Sequence, residues 1–202
     1  EAGDASALVH LPVSVKTRIG YNKNELETWL PALLEAEPAV ITVHARTRKE
    51  MSKVPAQWEH VARAVEIRNE FYTKKNQELV AQGQPAIKPE NQTLIFGNGD
   101  VGTVAQGFEK AKETKAEGIM LGRAIFGNPW LFASIRQPDF APVIPTVEEK
   151  LSVMIEHTYL YERELGSTKN FSIMKKHYKA YVHDFDGAKE LRSELMEKAD
   201  SA

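Results

Sequence analysis

The chain has no cysteine among its 202 residues. That absence excludes a disulfide scaffold, a Cys-ligated zinc or iron–sulfur centre, and a thiol nucleophile supplied by these residues. No run of about 18 apolar residues occurs, so no segment has the pattern of a membrane-spanning helix. Net charge is almost missing as well: 26 Lys plus Arg stand against 28 Asp plus Glu, a formal −2. This balance argues against a protein that coats nucleic acid all over, yet leaves room for a local basic stripe. Residues Glu1 to Ser6 form neither a charged n-region nor an apolar h-region, and a cytoplasmic location is the expectation. The six histidines are scattered, without metal-ligand spacing. Solenoid repeats and low-complexity tracts are absent too.

What is present is a globular composition, 42% hydrophobic and 27% charged. The first two thirds alternate short apolar runs with amphipathic stretches. Pro12 to Lys16 reads as a strand, followed by Leu26, Leu30, Leu33 and Leu34 at helical spacing, with Pro31 expected to kink or delay that helix. Ala39 to Val43 reads as a buried strand ending at His44. A long helix should follow with Trp58, Val61, Ala62, Val65 and Tyr72 inward, broken between Gly83 and Asn91. A third strand, Thr93 to Phe96, runs into Gly97-Asn98-Gly99-Asp100. The helix after it should face Val104, Phe108 and Ala111 inward, and a fourth strand, Gly118 to Leu121, runs into Gly122-Arg123. Apolar strands alternating with helices predict a parallel sheet covered by helices.

In each of these four units the polar and glycine-rich residues sit at the strand's C-terminal end. That is the face on which (β/α)₈ barrels build their active sites. Four units make half a barrel, since a closed one takes roughly 250 residues. The expectation is therefore the C-terminal half of a TIM barrel over residues 1–140, from a longer protein. Exposed strand edges would then favour poor stability or self-association.

From residue 146 onward only helices are predicted, forming a small α-helical bundle over 146–202. Thr146 and Glu149 make a capping box. The helix it opens carries Leu151, Met154, Ile155, Thr158 and Leu165, and Gly166 closes it. A second helix places Phe171, Met174, Tyr178, Tyr181, Val182 and Phe185 on one side. A third does the same with Ala188, Leu191, Leu195 and Ala199.

Several residues could carry chemistry. Glycines in two adjacent strand-end loops, one of them followed by Arg123, allow backbone N–H groups to approach an anion, and phosphate binding is favoured over simple tight turns. Lys16 alternates with Val13 and Val15, so it is either an inward-facing barrel residue or an exposed strand charge. His44 ends a strongly apolar strand with Arg46 and Arg48 beyond it; a ligand-binding and a structural role are equally open. On the second helix of the tail, Lys175, Lys176, Lys179 and His183 fall opposite the aromatic face. No acidic residue occurs between Gly166 and His183. A basic stripe suits a phosphate backbone, although a solvated helix face has the same pattern.

Taken together, these segments resemble the tRNA-dihydrouridine synthase family, flavoenzymes of the TIM-barrel class. The matching stretches are Pro12 to Gly20, Val43-His44-Ala45-Arg46-Thr47-Arg48, Gly97 to Val101 and Met120 to Phe132. The last of these includes Gly127-Asn128-Pro129-Trp130 and is the most specific. Met174 to Tyr178 and Gly187 to Arg192 extend the likeness into the tail.

The resemblance implies FMN as cofactor, NADPH as reductant, and transfer of hydride to the C5=C6 bond of a uridine in tRNA, swung out of its stack. It implies that Lys16 contacts the flavin ring, that His44 lies at the FMN site, and that Asn98, Gly99, Asp100, Gly122 and Arg123 hold the ribityl phosphate. It also implies a helical domain that grips tRNA, giving Lys175, Lys176, Lys179 and His183 an RNA-binding role. The family's proton donor is a cysteine expected upstream of Glu1, so no catalytic residue is assigned within these 202 residues, and the isolated chain is expected to be inactive. Where relatives read His-Gly-Arg, this chain has His44-Ala45-Arg46, and the segment 69–91 is longer than usual. Two other functions fit parts of the pattern: a dihydroorotate-dehydrogenase-like enzyme acting on a small molecule, and a catalytically inert RNA-binding fragment. The basic tail separates the first of these from a tRNA enzyme. No metal, membrane or protein partner is expected.

Overall fold

A computed structural model describes residues 11–198. Four strands, β1 (Ser14–Arg18), β2 (Val40–His44), β3 (Leu94–Asn98) and β4 (Gly118–Met120), form one parallel sheet in sequential order. Parallel neighbours need long crossovers, which α1 (Leu26–Leu34), α2 (Glu59–Ala81) and α3 (Val104–Thr114) supply. β1 begins two residues later than the apolar run at Pro12 and continues through Arg18. Pro31 does not delay α1; it lies inside the helix, between the buried Leu30 and Leu34.

The pairing register divides the sheet into two chemically different faces. Ile41, Val43 and Ile95 pack with Leu26, Leu30 and Leu34 of α1 and Val61 and Val65 of α2 in one core. The opposite face carries Lys16, Thr42, Phe96 and Gly118 in one row, and Arg18, His44, Asn98 and Met120 in the next. Side chains alternate along a strand, so a two-residue step keeps both rows on the same side.

At the other end of the strands α2 is stapled to the sheet by polar contacts that hydrophobic spacing does not reveal. Arg68, 6% exposed, donates to Thr93 O at 2.7 Å and pairs with Glu117 at 2.7 Å, while Glu117 accepts from Ile95 N. The helix then runs well past Tyr72. Asn76 holds the returning chain by bonding both the N–H and the carbonyl of Ile87.

Phe108 does not face inward; it is 50% exposed. Gly107 takes the inward position, close to Ile119 and Leu121. That stripe continues at Ala111 and Thr114, which places Phe108 to one side.

By compactness the described residues divide into 11–101 with 106–122, and 102–105 with 123–198, a division that falls before the all-helical stretch expected from residue 146. In the second unit, short 3-10 turns over Arg123–Ile125, Leu131–Arg136 and Pro138–Phe140 precede α4 (Val147–Leu165), α5 (Ser172–Tyr181) and α6 (Ala188–Lys198). Both halves of the capping box at Thr146 and Glu149 are formed. Met154, Tyr161, Met174, Tyr178, Tyr181, Val182 and Ala188 make one core, with Phe171, Phe185, Leu191 and Leu195 against it.

The inward stripe of α4 is Leu151, Met154, Thr158 and Tyr161. Ile155 and Leu165, expected inward, are 52% and 40% exposed. Gly166 follows α4 in right-handed helical conformation rather than as a left-handed stop. Ala199 lies outside the described residues. Gly127 has φ +69°, and a Cβ there would overlap the carbonyl oxygen of Ala180, so only glycine lets this segment lie against α5.

Candidate functional site at the strand ends and the basic helical groove

The C-terminal ends of β1, β2 and β3 bring Lys16, Arg18, His44, Arg46 and Asp100 into one cluster. Burial is the main cause that lowers the Lys16 pKa, followed by the neighbouring charge of Arg18. No carboxylate among the described residues pairs with the Lys16 ammonium, which is partly desolvated although the residue as a whole is exposed on the polar face of the sheet. Arg18 reaches back to the carbonyls of Thr47 and Met51.

His44 is half-buried, and its pKa is pushed down to about 4, first by burial and then by Arg18, Lys16 and Arg46. The imidazole is therefore neutral at physiological pH. The unfolded chain takes up this proton near pH 6.5, before the folded chain does. The site's contribution to stability is thus complete above that pH and is lost progressively as pH falls from 6.5 toward 4. Denaturant midpoints should drop between pH 7 and pH 5 more in the native protein than in His44→Gln; equal drops would contradict this.

The loop after β2 is braced throughout. Glu50 accepts from the N–H and hydroxyl of Thr47 and from Gln57, and these bonds, the Thr47 backbone first, hold its pKa below the usual carboxylate range. Trp58, 7% exposed, donates its indole N–H to Gly99 O at 3.1 Å. Gly99 has φ +134°, and a Cβ there would stand 2.8 Å from Ala56 Cβ and 3.3 Å from His44 Cδ2. Asp100 also has positive φ, at 51°, and its carboxylate accepts from Arg46 and from Ala56 N.

Two of the expected ligand groups are thus turned toward the protein. The Asp100 carboxylate braces the loop, and Asn98 Nδ2 donates to Met120 O at 2.7 Å, tying β3 to β4. Gly122 is exposed with open space around it. Arg123 opens a 3-10 turn and is exposed.

In the second unit, α5 and α6 enclose a groove of about 560 Å³ lined by Lys175, Lys176, Lys179, Lys189 and Arg192. Among the described residues, Glu197 is the one acidic group in its wall. Two of the five cations are engaged by backbone: Lys175 donates to Met196 O at 3.0 Å and Arg192 to Val182 O at 2.8 Å. His183 is not in this wall; its Nδ1 lies 2.6 Å from Asp184.

The family model described as dihydrouridine synthase matches residues 4–74 and 68–202. The chain belongs to the dihydrouridine synthase family. Among similar proteins, a probable tRNA-dihydrouridine synthase of Staphylococcus aureus is 36% identical over 188 residues, 92% of this chain and 50% of that protein. One from Staphylococcus epidermidis is 36% identical over 194 residues, 95% and 52% of the two chains. A probable tRNA-dihydrouridine synthase 2 of Bacillus subtilis is 33% identical over 188 residues, 92% and 50%. The chain thus spans about half the length of the curated relatives it matches.

Among the described residues of this family member, no group of three His, Cys, Asp or Glu could hold a metal ion, and no helix is long and apolar enough to cross a membrane. Of the expected site residues, the structure gathers Lys16, His44, Gly99 and Asp100 at one strand end, and Lys175, Lys176 and Lys179 in one groove. Reasoning from sequence missed the inward turn of Arg46 and the contribution of Lys189 and Arg192. The acid-free stretch ends at His183, whereas the groove is completed from the next helix.

Proposed function

We propose that the sheet is the C-terminal half of a flavin-binding (β/α)₈ barrel, and that residues 146–202 are the helical tRNA-binding part of a cytoplasmic tRNA-dihydrouridine synthase. The observation that carries this reading is the strand-end cluster: a lysine with no carboxylate partner among the described residues, a neutral histidine and a glycine turn on the polar face of a parallel sheet. FMN fits these residues. It is anionic at its phosphate and rich in acceptors on its ring, and the cluster offers cations, N–H donors and a wall kept low by Gly99. Lys16 and His44 would hold the ring, with Gly99 and Gly122 leaving room for the phosphate. FMN bound there, with NADPH as reductant, would supply the hydride that saturates the C5=C6 bond of a tRNA uridine.

With a flavin bound, Lys16 would place a cation beside the ring and His44 would offer it a neutral imidazole as donor. The α5–α6 groove supplies cationic charge for the phosphate backbone of tRNA. The family's proton-donating cysteine has no counterpart among these 202 residues, so the isolated chain should show no turnover.

The intact gene product that carries this sequence should retain a flavin absorbance band and convert uridine to dihydrouridine in unmodified tRNA. Lys16→Met should lower turnover about 100-fold, the scale of losing one preorganised charge at a reacting centre. Colourless protein that leaves tRNA unmodified would overturn the proposal.

A further inference from the structure

Arg46 is the most fully committed polar side chain at the strand ends. It is 2% exposed. Its Nε donates to Val54 O at 2.6 Å, Nη1 faces His44 Nε2 at 3.3 Å, and Nη2 donates to the Asp100 carboxylate. These acceptors come from three places: the end of β2, the loop that follows it, and the turn after β3. A planar guanidinium reaches all three because its donors diverge in one plane; an ammonium on a flexible stem does not reproduce that fork.

We infer that Arg46 is a positioning residue that sets which nitrogen of His44 carries the proton. A guanidinium has donors only, so the imidazole nitrogen facing it must offer a lone pair. Nε2 is therefore bare, and the neutral ring carries its proton on Nδ1. Among the described residues no group accepts from Nδ1, and that atom is not sealed from solvent. The site thus presents an N–H donor to whatever occupies it, and the matching ligand atom is an acceptor, such as a ring carbonyl or a phosphate oxygen. In the same act Arg46 holds the Asp100 carboxylate, and with it the Gly99–Asp100 turn, against the loop that Ala56 closes. The importance of the tautomer for a flavin rests on the function proposed above; the tautomer itself does not.

The test is a long-range ¹H–¹⁵N correlation spectrum of the histidines in ¹⁵N-labelled intact protein stripped of flavin, at pH 7. His44 is assigned by comparison with His44→Gln. The expected result is a neutral ring protonated at Nδ1. In Arg46→Met the signal should move toward the Nε2-protonated form, and FMN affinity measured by fluorescence quenching should fall at least tenfold. Arg46→Lys, which returns a donor but not the fork, should restore the tautomer more than the affinity. A native spectrum showing Nε2–H overturns the inference without any variant, and so does a folded Arg46→Met protein that keeps Nδ1–H. Should Arg46→Met fail to fold, the native spectrum decides alone. Nδ1–H in the native protein together with no FMN binding would instead sink the proposed function and leave this inference standing.

Discussion

Replacing Trp58 with alanine is expected to destabilise the first unit by about 3–5 kcal/mol, the usual cost of emptying a large aromatic site. The indole is 7% exposed and lies so close to β3 that a Cβ at Gly97 would overlap its ring. The side chain also does something that packing alone does not, because its N–H holds Gly99 O. Trp58→Phe separates the two roles. It keeps much of the apolar contact and forfeits one hydrogen bond, so chemical denaturation should show a loss of about 1–2 kcal/mol. Flavin affinity should fall in this variant out of proportion to stability, since the released turn is the one beside His44. Equal stability of Trp58→Ala and the native protein in urea would refute the packing argument. Unchanged flavin affinity in Trp58→Phe would refute the anchoring one.

The second large effect is expected on RNA binding. Lys176, Lys179 and Lys189 line the α5–α6 groove without a carboxylate partner among the described residues, so their replacement disturbs little of the folded state. Lys175 and Arg192 are poorer targets because each also holds a backbone carbonyl. The triple variant Lys176→Ala, Lys179→Ala, Lys189→Ala should fold with a change of at most about 0.5 kcal/mol per site. Its tRNA affinity at low salt, where the field is least screened, should fall by one to two orders of magnitude, since up to three phosphates are left without a cation. The decisive reading is the slope of log affinity against log salt, which should become shallower by about 2–3, one released counterion for each phosphate no longer neutralised. Lys74→Ala, on the exposed surface of α2, should leave that slope unchanged. An unaltered slope in the triple variant would show that the groove does not meet the phosphate backbone.

The element types and their order were legible because they depend on near neighbours. Leu26, Leu30 and Leu34 repeat at helical spacing, and all three are buried. Thr146 and Glu149 announce a helix start that forms as a capping box. Errors arose where one local pattern admits two registers. Phe108 is a natural inward residue for α3 until Gly107 proves to be the one set against Ile119 and Leu121. Ile155 beside Met154 poses the same ambiguity, and tertiary packing chose Met154. For the candidate site, residue types at strand ends pointed to Lys16, His44 and the Gly99 turn, but gave no sign that the Asp100 carboxylate and the Asn98 amide are spent on holding the protein together.

By itself the sequence determined the alternation of strands and helices, the helical tail, the absence of cysteine from these residues, and a set of motifs specific enough for the family. Each is written in composition or in spacing over a few residues. Tertiary structure alone decided that Arg46 turns inward to His44 and Asp100, that Arg68 meets Thr93 and Glu117, and that Lys189 and Arg192 join Lys175, Lys176 and Lys179 in one groove. These groups are separated along the chain by up to about fifty residues. What brings them together is strand register and helix packing, and neither is encoded in the spacing of any single segment.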